Sequence, residues 1–187
     1  MKKTINGFTI VELLIVIVVI AILAAITTVA YNGITTRAEN NKTLAAALAF
    51  YKAMKMYETD KGEVPHIGMD SCLGENYAWD FAAAASGSNQ CRWASFSYYT
   101  IKGTLNNDLK PYLNNQLPAP SMQTIGDTGN WVRGLTYSAP AVGGQLVITL
   151  GQKGVTSCPS LGGQSSSSAA TLANGMRCNY AVGTRLR

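Results

Sequence analysis

Two hydrophobic patterns divide this chain. Every residue from Leu13 to Ile26 is apolar, and between Phe8 and Ala30 the one charged side chain is Glu12. As a helix, Phe8 to Ala30 spans about 35 Å, against about 30 Å for a bilayer core. A second pattern follows. Ala46, Phe50, Met54 and Tyr57 recur at helical spacing, with Leu44, Leu48 and Tyr51 beside them. Arg37, Lys42, Lys52 and Lys55 line other directions, so one face is apolar. No proline lies between Phe8 and Val64, and Gly62 and Pro65 supply a stop. The pattern predicts a helix from about Phe8 to Glu58. Residues 8–61 then form one division, with 8–30 as its membrane or core part, and 62–187 form a head.

Past Pro65 the period shortens. "SFSYYTIK" from Ser95 to Lys102 suits a strand, and "NDLKPYLNNQL" from Asn107 to Leu117 a short helix or turn. Trp131 to Ala139 and Gln145 to Leu150 alternate apolar and polar residues around a Gly-Gly turn, which predicts a hairpin. Met176 to Val182 predicts a last strand. Cys72 to Cys91 reads as a loop with a short helix. The stretch between Cys158 and Cys178, with Ser165 to Ser168 in a row, reads as a flexible exposed loop. The expected fold is α+β: one long helix packed on an antiparallel sheet of three to four strands, covering Phe50, Met54 and Tyr57.

Composition changes the picture in two places. The chain has four cysteines and one histidine, His66. No CxxC pair is present, so zinc is disfavoured. An even number of cysteines in an exported chain reads as disulfides. Of the three possible connectivities, sequential pairing of Cys72 with Cys91 and Cys158 with Cys178 is preferred. Each closes a loop of about 20 residues and stabilises the fold by about 3 kcal/mol. The net charge is +5, two of it from Lys2 and Lys3. Arg177, Arg185 and Arg187 read as a solvated C-terminal tail rather than a polyanion site.

Glu12 poses the sharpest question, because a carboxylate near an apolar core costs about 2.5–3.5 kcal/mol. No Lys or Arg lies between Lys3 and Arg37. A cut after Gly7 creates the missing cation, the amine of Phe8. In a bundle of such helices, that amine on one chain meets the carboxylate of the next. Hydrophobic contact then packs the bundle and the ion pair sets its register.

"KKTINGFTIVELLIVIVVIAILAAI" closely resembles the prepilin signature of type IV pilins, in its basic leader, Gly7, Phe8, Thr9, Glu12 and aliphatic run. The resemblance implies that residues 1–7 are a leader, cut between Gly7 and Phe8 by a membrane prepilin peptidase that also N-methylates Phe8. It implies that Phe8, Thr9 and Glu12 serve assembly, with Glu12 paired to the Phe8 amine of an adjacent subunit. It implies a structural subunit of a pilus serving adhesion, twitching motility or DNA uptake, first single-pass in the cytoplasmic membrane with its N-terminus inside, then extracellular. The implied partners are other copies of the chain, the peptidase, and an assembly platform with its ATPase motor. DNA or host surfaces are further contacts. Many relatives carry a proline in the first half of the helix, where it partly melts; this chain has none there, so melting is not demanded, and the weak point is Asn32-Gly33, within Thr27 to Gly33. The Leu109, Tyr112-Leu113, Leu117-Pro118 run also resembles pilin heads, with Ala119 where an aspartate is common. A C-terminal loop bounded by Cys158 and Cys178 fits the same family, and its serines are candidates for glycosylation.

Two other readings stand beside this one. A pseudopilin of a secretion or competence system shares the N-terminus. A secreted or anchored binding domain, with Thr28-Val29-Ala30 as an ordinary cleavage site, belongs to another class. An enzyme is disfavoured: His66 follows a proline, Glu58 and Asp60 sit beside Lys61 as a solvated turn, and no phosphate loop, GxSxG or HExxH occurs. Asp127 is the one acid in the last third, which argues against calcium. Trp79, Trp93 and Trp131 read as core rather than a sugar platform. Asn41-Lys42-Thr43 is a glycosylation sequon read as chance. No cofactor and no metal is called for.

Overall fold

The structure, a computed structural model of the 187-residue chain, describes residues 8–65, 70–74, 90–93, 98–100, 103–126, 131–138 and 144–184. Helix α1 runs from Ile10 to Lys61, 52 residues without a break, through Thr27 to Gly33 as elsewhere. Thr27 and Thr28 donate to the carbonyls of Ala24 and Ala25, each at 3.0 Å, so these hydroxyls are satisfied by their own helix. Gly62 ends the helix at φ +79°, and its N–H reaches Glu58 O at 2.8 Å. This left-handed cap favours glycine.

By its internal contacts the chain forms two units, Met1–Arg37 and Ala38–Arg187. In the first, the described apolar side chains of α1 stand open, Ile10 at 86% and Val18 at 47% exposure. By length and composition this helix is able to cross a membrane.

The second unit holds the rest of α1, a short helix α2 (Gly103–Leu109) and a 3-10 turn (Lys110–Leu113). Its strands are β1 (Ser71–Cys72), β2 (Gln90–Trp93), β3 (Tyr98–Thr100), β4 (Thr124–Gly126), β5 (Trp131–Arg133), β6 (Leu135–Ser138), β7 (Gln145–Lys153), β8 (Ser168–Leu172) and β9 (Gly175–Thr184). They form a five-stranded sheet in the order β1-β6-β7-β9-β8 and a second, four-stranded sheet in the order β3-β2-β5-β4. Every pairing is antiparallel.

The expected helix face is the one that is buried. Ala46, Ala47, Phe50, Ala53 and Met54 share one core with Tyr137, Leu146, Ile148, Leu150, Tyr180 and Val182, and Leu44, Leu48, Tyr51 and Tyr57 pack at its margin. Asn40 also fixes the helix to the sheet. Its carboxamide donates to Lys153 O at 2.8 Å and accepts from Lys153 N at 3.0 Å, as a neighbouring strand would. Gln152 Nε2 closes the set on Asn40 O at 3.2 Å. Thr43 Oγ1 accepts from Ser121 N at 3.1 Å and is itself buried, so the sequon threonine is occupied in the fold.

Four expectations need correction. Among the described residues the sheet has five strands rather than three to four, and a second, four-stranded sheet accompanies it. Trp131 to Ala139 is not one strand: Gly134, at φ +74°, turns the chain between β5 and β6, which belong to different sheets. The predicted hairpin with Gln145 to Leu150 therefore forms from β6 alone, pairing Leu135 with Leu150 and Ser138 with Val147. The serine-rich stretch is not a loop throughout. Leu161 and Gln164 exchange backbone bonds at 2.9 and 3.1 Å around a tight turn, and Ser168 to Leu172 then pair with β9. There Asn179 Nδ2 donates to Ser168 Oγ at 2.8 Å, and Ser167 donates to Asn179 O from both its N–H and its hydroxyl. A long central strand offers backbone partners that serine and alanine accept without hydrophobic burial. Lastly, Arg177 is no tail residue; it lies half-buried in β9, opposite Ala170 and Gly151.

Tyr137 and Tyr180 give a testable property of this core. Their hydroxyls donate to Pro65 O and Pro159 O. Burial, with the Glu58 carboxylate adding to it, raises Tyr137 well above the usual phenol range, and burial pushes Tyr180 up to about 12. Both phenols hold their protons more tightly folded than unfolded. Their contribution to stability is complete below the unfolded value of about 10 and is lost as pH rises through the folded values. Thermal melts are expected to be flat between about pH 7 and 9 and to fall from about 10 upward, with Tyr137 and Tyr180 ionising late in an ultraviolet titration.

Candidate functional site

The residues singled out at the front of the chain meet at the start of α1. Phe8 is 78% exposed and Thr9 directly precedes the first helical residue. Thr9 Oγ1 accepts from Glu12 N at 3.3 Å. Glu12 Oε2 in return accepts from Thr9 N at 2.9 Å and from Thr9 Oγ1 at 2.6 Å. This is a capping box, in which two backbone donors that the helix cannot satisfy are satisfied reciprocally. The first helical bond, Leu13 N to Thr9 O at 3.3 Å, follows from it.

The Thr-x-x-Glu spacing is the sequence signal of that cap, and the ion-pair reading of Glu12 does not use it. The cap gives Glu12 a role within its own chain, because unsatisfied N–H groups are costly in an apolar surrounding. Another role stays open. Among the described residues both bonds to Glu12 fall on Oε2, and the salt bridges, Lys55–Glu58 and Lys61–Asp60, involve other groups. Gly7 lies outside the described residues.

Residues 2–28 match the family described as the prokaryotic N-terminal methylation motif. The N-terminus of the chain carries that motif. It is also 32% identical over 93 residues to the fimbrial protein EcpC of Eikenella corrodens. That alignment takes in 48% of this chain and 61% of the relative, so the chain spans about three fifths of the curated relative it matches. No solved structure matches the chain.

Both disulfides are the sequential ones. Cys72–Cys91 joins β1 of the five-stranded sheet to β2 of the four-stranded one. Cys158–Cys178 ties the segment after β7 to the middle of β9. They bound the head rather than forming a reactive site.

At the other end of α1, Tyr112 donates to Asp60 Oδ2 at 2.7 Å and stacks edge-on against Tyr57, ring centroids 5.9 Å apart. The Tyr112 hydroxyl, with Lys61 at 3.1 Å, holds the Asp60 carboxyl below its usual range. This bond joins the helix end to the turn, while Asp60 and Lys61 stay exposed to solvent as the sequence suggests. His66, Trp79 and Asp127 lie outside the described residues, as do the side chains of Trp93 and Trp131.

Proposed function

We propose that this chain is a structural subunit of a type IV pilus-class filament, matured by removal of residues 1–7 and assembled through its apolar N-terminal helix. The observation that carries the reading is the exposed apolar helix with its single carboxylate beside the point where a cut after Gly7 frees an amine. In this reading the Phe8 amine of one subunit meets Glu12 of the next, and Thr9 presents the carboxylate. The apolar side chains leave lipid for a bundle of equal polarity, so transfer costs little hydrophobic energy. The N-terminus faces the cytoplasm before assembly, held there by Lys2 and Lys3. A prepilin peptidase, an assembly platform and its motor are the partners this route requires. The likeness to a fimbrial protein favours a pilus over a secretion pseudofilament, with adhesion, motility or DNA uptake as its service.

Intact-mass and N-terminal peptide spectrometry of the protein from its own cells tests the reading. A chain beginning at methylated Phe8 is the expected result. An intact Met1, or a new terminus at Tyr31, removes the amine opposite Glu12 and overturns it.

A further inference from the structure

Among the described residues past Ile34, Met56 alone is an exposed large hydrophobic, at 47%. It does not stand by itself. Met56 lines a groove of about 430 Å³ together with Ala49 and Lys52 of α1 and Leu113, Leu117 and Pro118 of the connection after the 3-10 turn. Tyr112, Asn114 and Gln116 complete the lining, so the walls are largely but not wholly apolar, and the exposed ammonium of Lys52 reaches solvent on a long stem. Among the described residues, Met56 is not one of the side chains packed in the head's core.

We propose that this groove receives the apolar N-terminal helix of a second copy of the chain in the assembled filament; the proposal rests on the filament reading above. The choice of occupant follows from what the chain leaves uncovered. Leu13 to Ile26 carry no polar group, and every large hydrophobic side chain among them is exposed, from 47% for Val18 to 61% for Ile26. Once such a helix leaves lipid, each face needs an apolar neighbour, and helices of other copies supply only part of the cover. Each chain brings this apolar helix and this largely apolar groove, so a helical repeat can pair the helix of one copy with the groove of another. Ala49 lets a helix approach the groove floor closely, and the unbranched thioether of Met56 adapts to aliphatic ridges. Glu12 stays with the amine of another neighbour, so the two contacts are independent.

Cysteine pairing in filaments made by the full-length protein tests this. All four native cysteines are in disulfides, so introduced thiols are the reactive ones. Met56→Cys is combined in turn with Ile17→Cys, Ile20→Cys, Leu23→Cys or Ile26→Cys, and filaments are oxidised and mapped by peptide spectrometry. Links between position 56 of one copy and the helix of another are expected for at least one pair. Links only between two copies of position 56, or from position 56 to a different protein, assign the groove another occupant and overturn the proposal, as does the absence of any link. Met56→Asp is expected to lower assembled protein by roughly tenfold or more, as an unpaired carboxylate in an apolar contact does, with Met56→Leu close to wild type. If the unaltered chain forms no filaments at all, the filament reading fails. If it does, and Met56→Asp assembles equally well, the groove alone fails.

Discussion

Replacing Glu12 with glutamine is expected to reduce filament assembly by about two orders of magnitude or more, while the helix starts where it did. Two roles meet in this residue and the substitution separates them. The capping box accepts glutamine as well as glutamate at the third helical position, so the bond back to Thr9 N survives. The negative charge does not. If Glu12 neutralises the amine of a neighbour in a water-poor bundle, its removal leaves that amine unpaired. Breaking one side of a buried pair costs about 3–5 kcal/mol, and each 1.4 kcal/mol is about tenfold in association. Electron microscopy of sheared filaments, set against the amount of Glu12→Gln protein retained in the membrane, reads the effect. Normal assembly of Glu12→Gln would mean that the cap, not the charge, is why an acid stands there. Thr9→Val is the converse: it removes the hydroxyl partner, keeps the charge, and is expected to have the smaller effect on assembly.

The same residue shows how far the sequence carries. Its apolar surroundings and the absent cation raise the question of a partner, and both are visible in the string of letters. Thr9-Ile10-Val11-Glu12 is equally visible as a cap, but a reading that sends the carboxylate to another chain does not look for a donor three residues before it. The long helix is legible for a simple reason: its second half repeats at 3.6 residues, its first half is uniformly apolar, and nothing breaks it before Gly62. Tertiary context decides the rest. Gly134 sits inside an alternating run and gives no sign that the chain changes sheets there. Ser168 to Leu172 are too polar and too small to predict a strand, and β9 makes them one. Asn40 is an ordinary polar residue of a helix until Lys153, more than a hundred positions away, presents its backbone.

Phe50 is where the helix pattern becomes a stability claim. It is fully buried, one turn below Met54 and one above Ala46, and its ring faces the core that β6, β7 and β9 close. Truncation to alanine removes a whole ring from a region with no route for collapse, since Ala46, Ala47 and Ala53 around it are already small. The expected loss is about 3–5 kcal/mol, a large share of the roughly 5–15 kcal/mol that keeps a native domain folded. Thermal melting of the detergent-solubilised chain is expected to drop by about 10 °C. Met56→Ala supplies the contrast. It lies on the same helix, carries a side chain of similar bulk, and points out of the core, so its melt is expected to stay within about 0.5 kcal/mol of wild type. Equal melts for the two variants would mean that α1 does not bury the Phe50 face on the sheet, and the head would need a different core. A Phe50→Ala protein that melts early yet still assembles at low temperature would separate the two surfaces of this helix. One face holds the monomer together, and the opposite face, where Met56 stands exposed beside Lys52, is the one proposed to meet another copy.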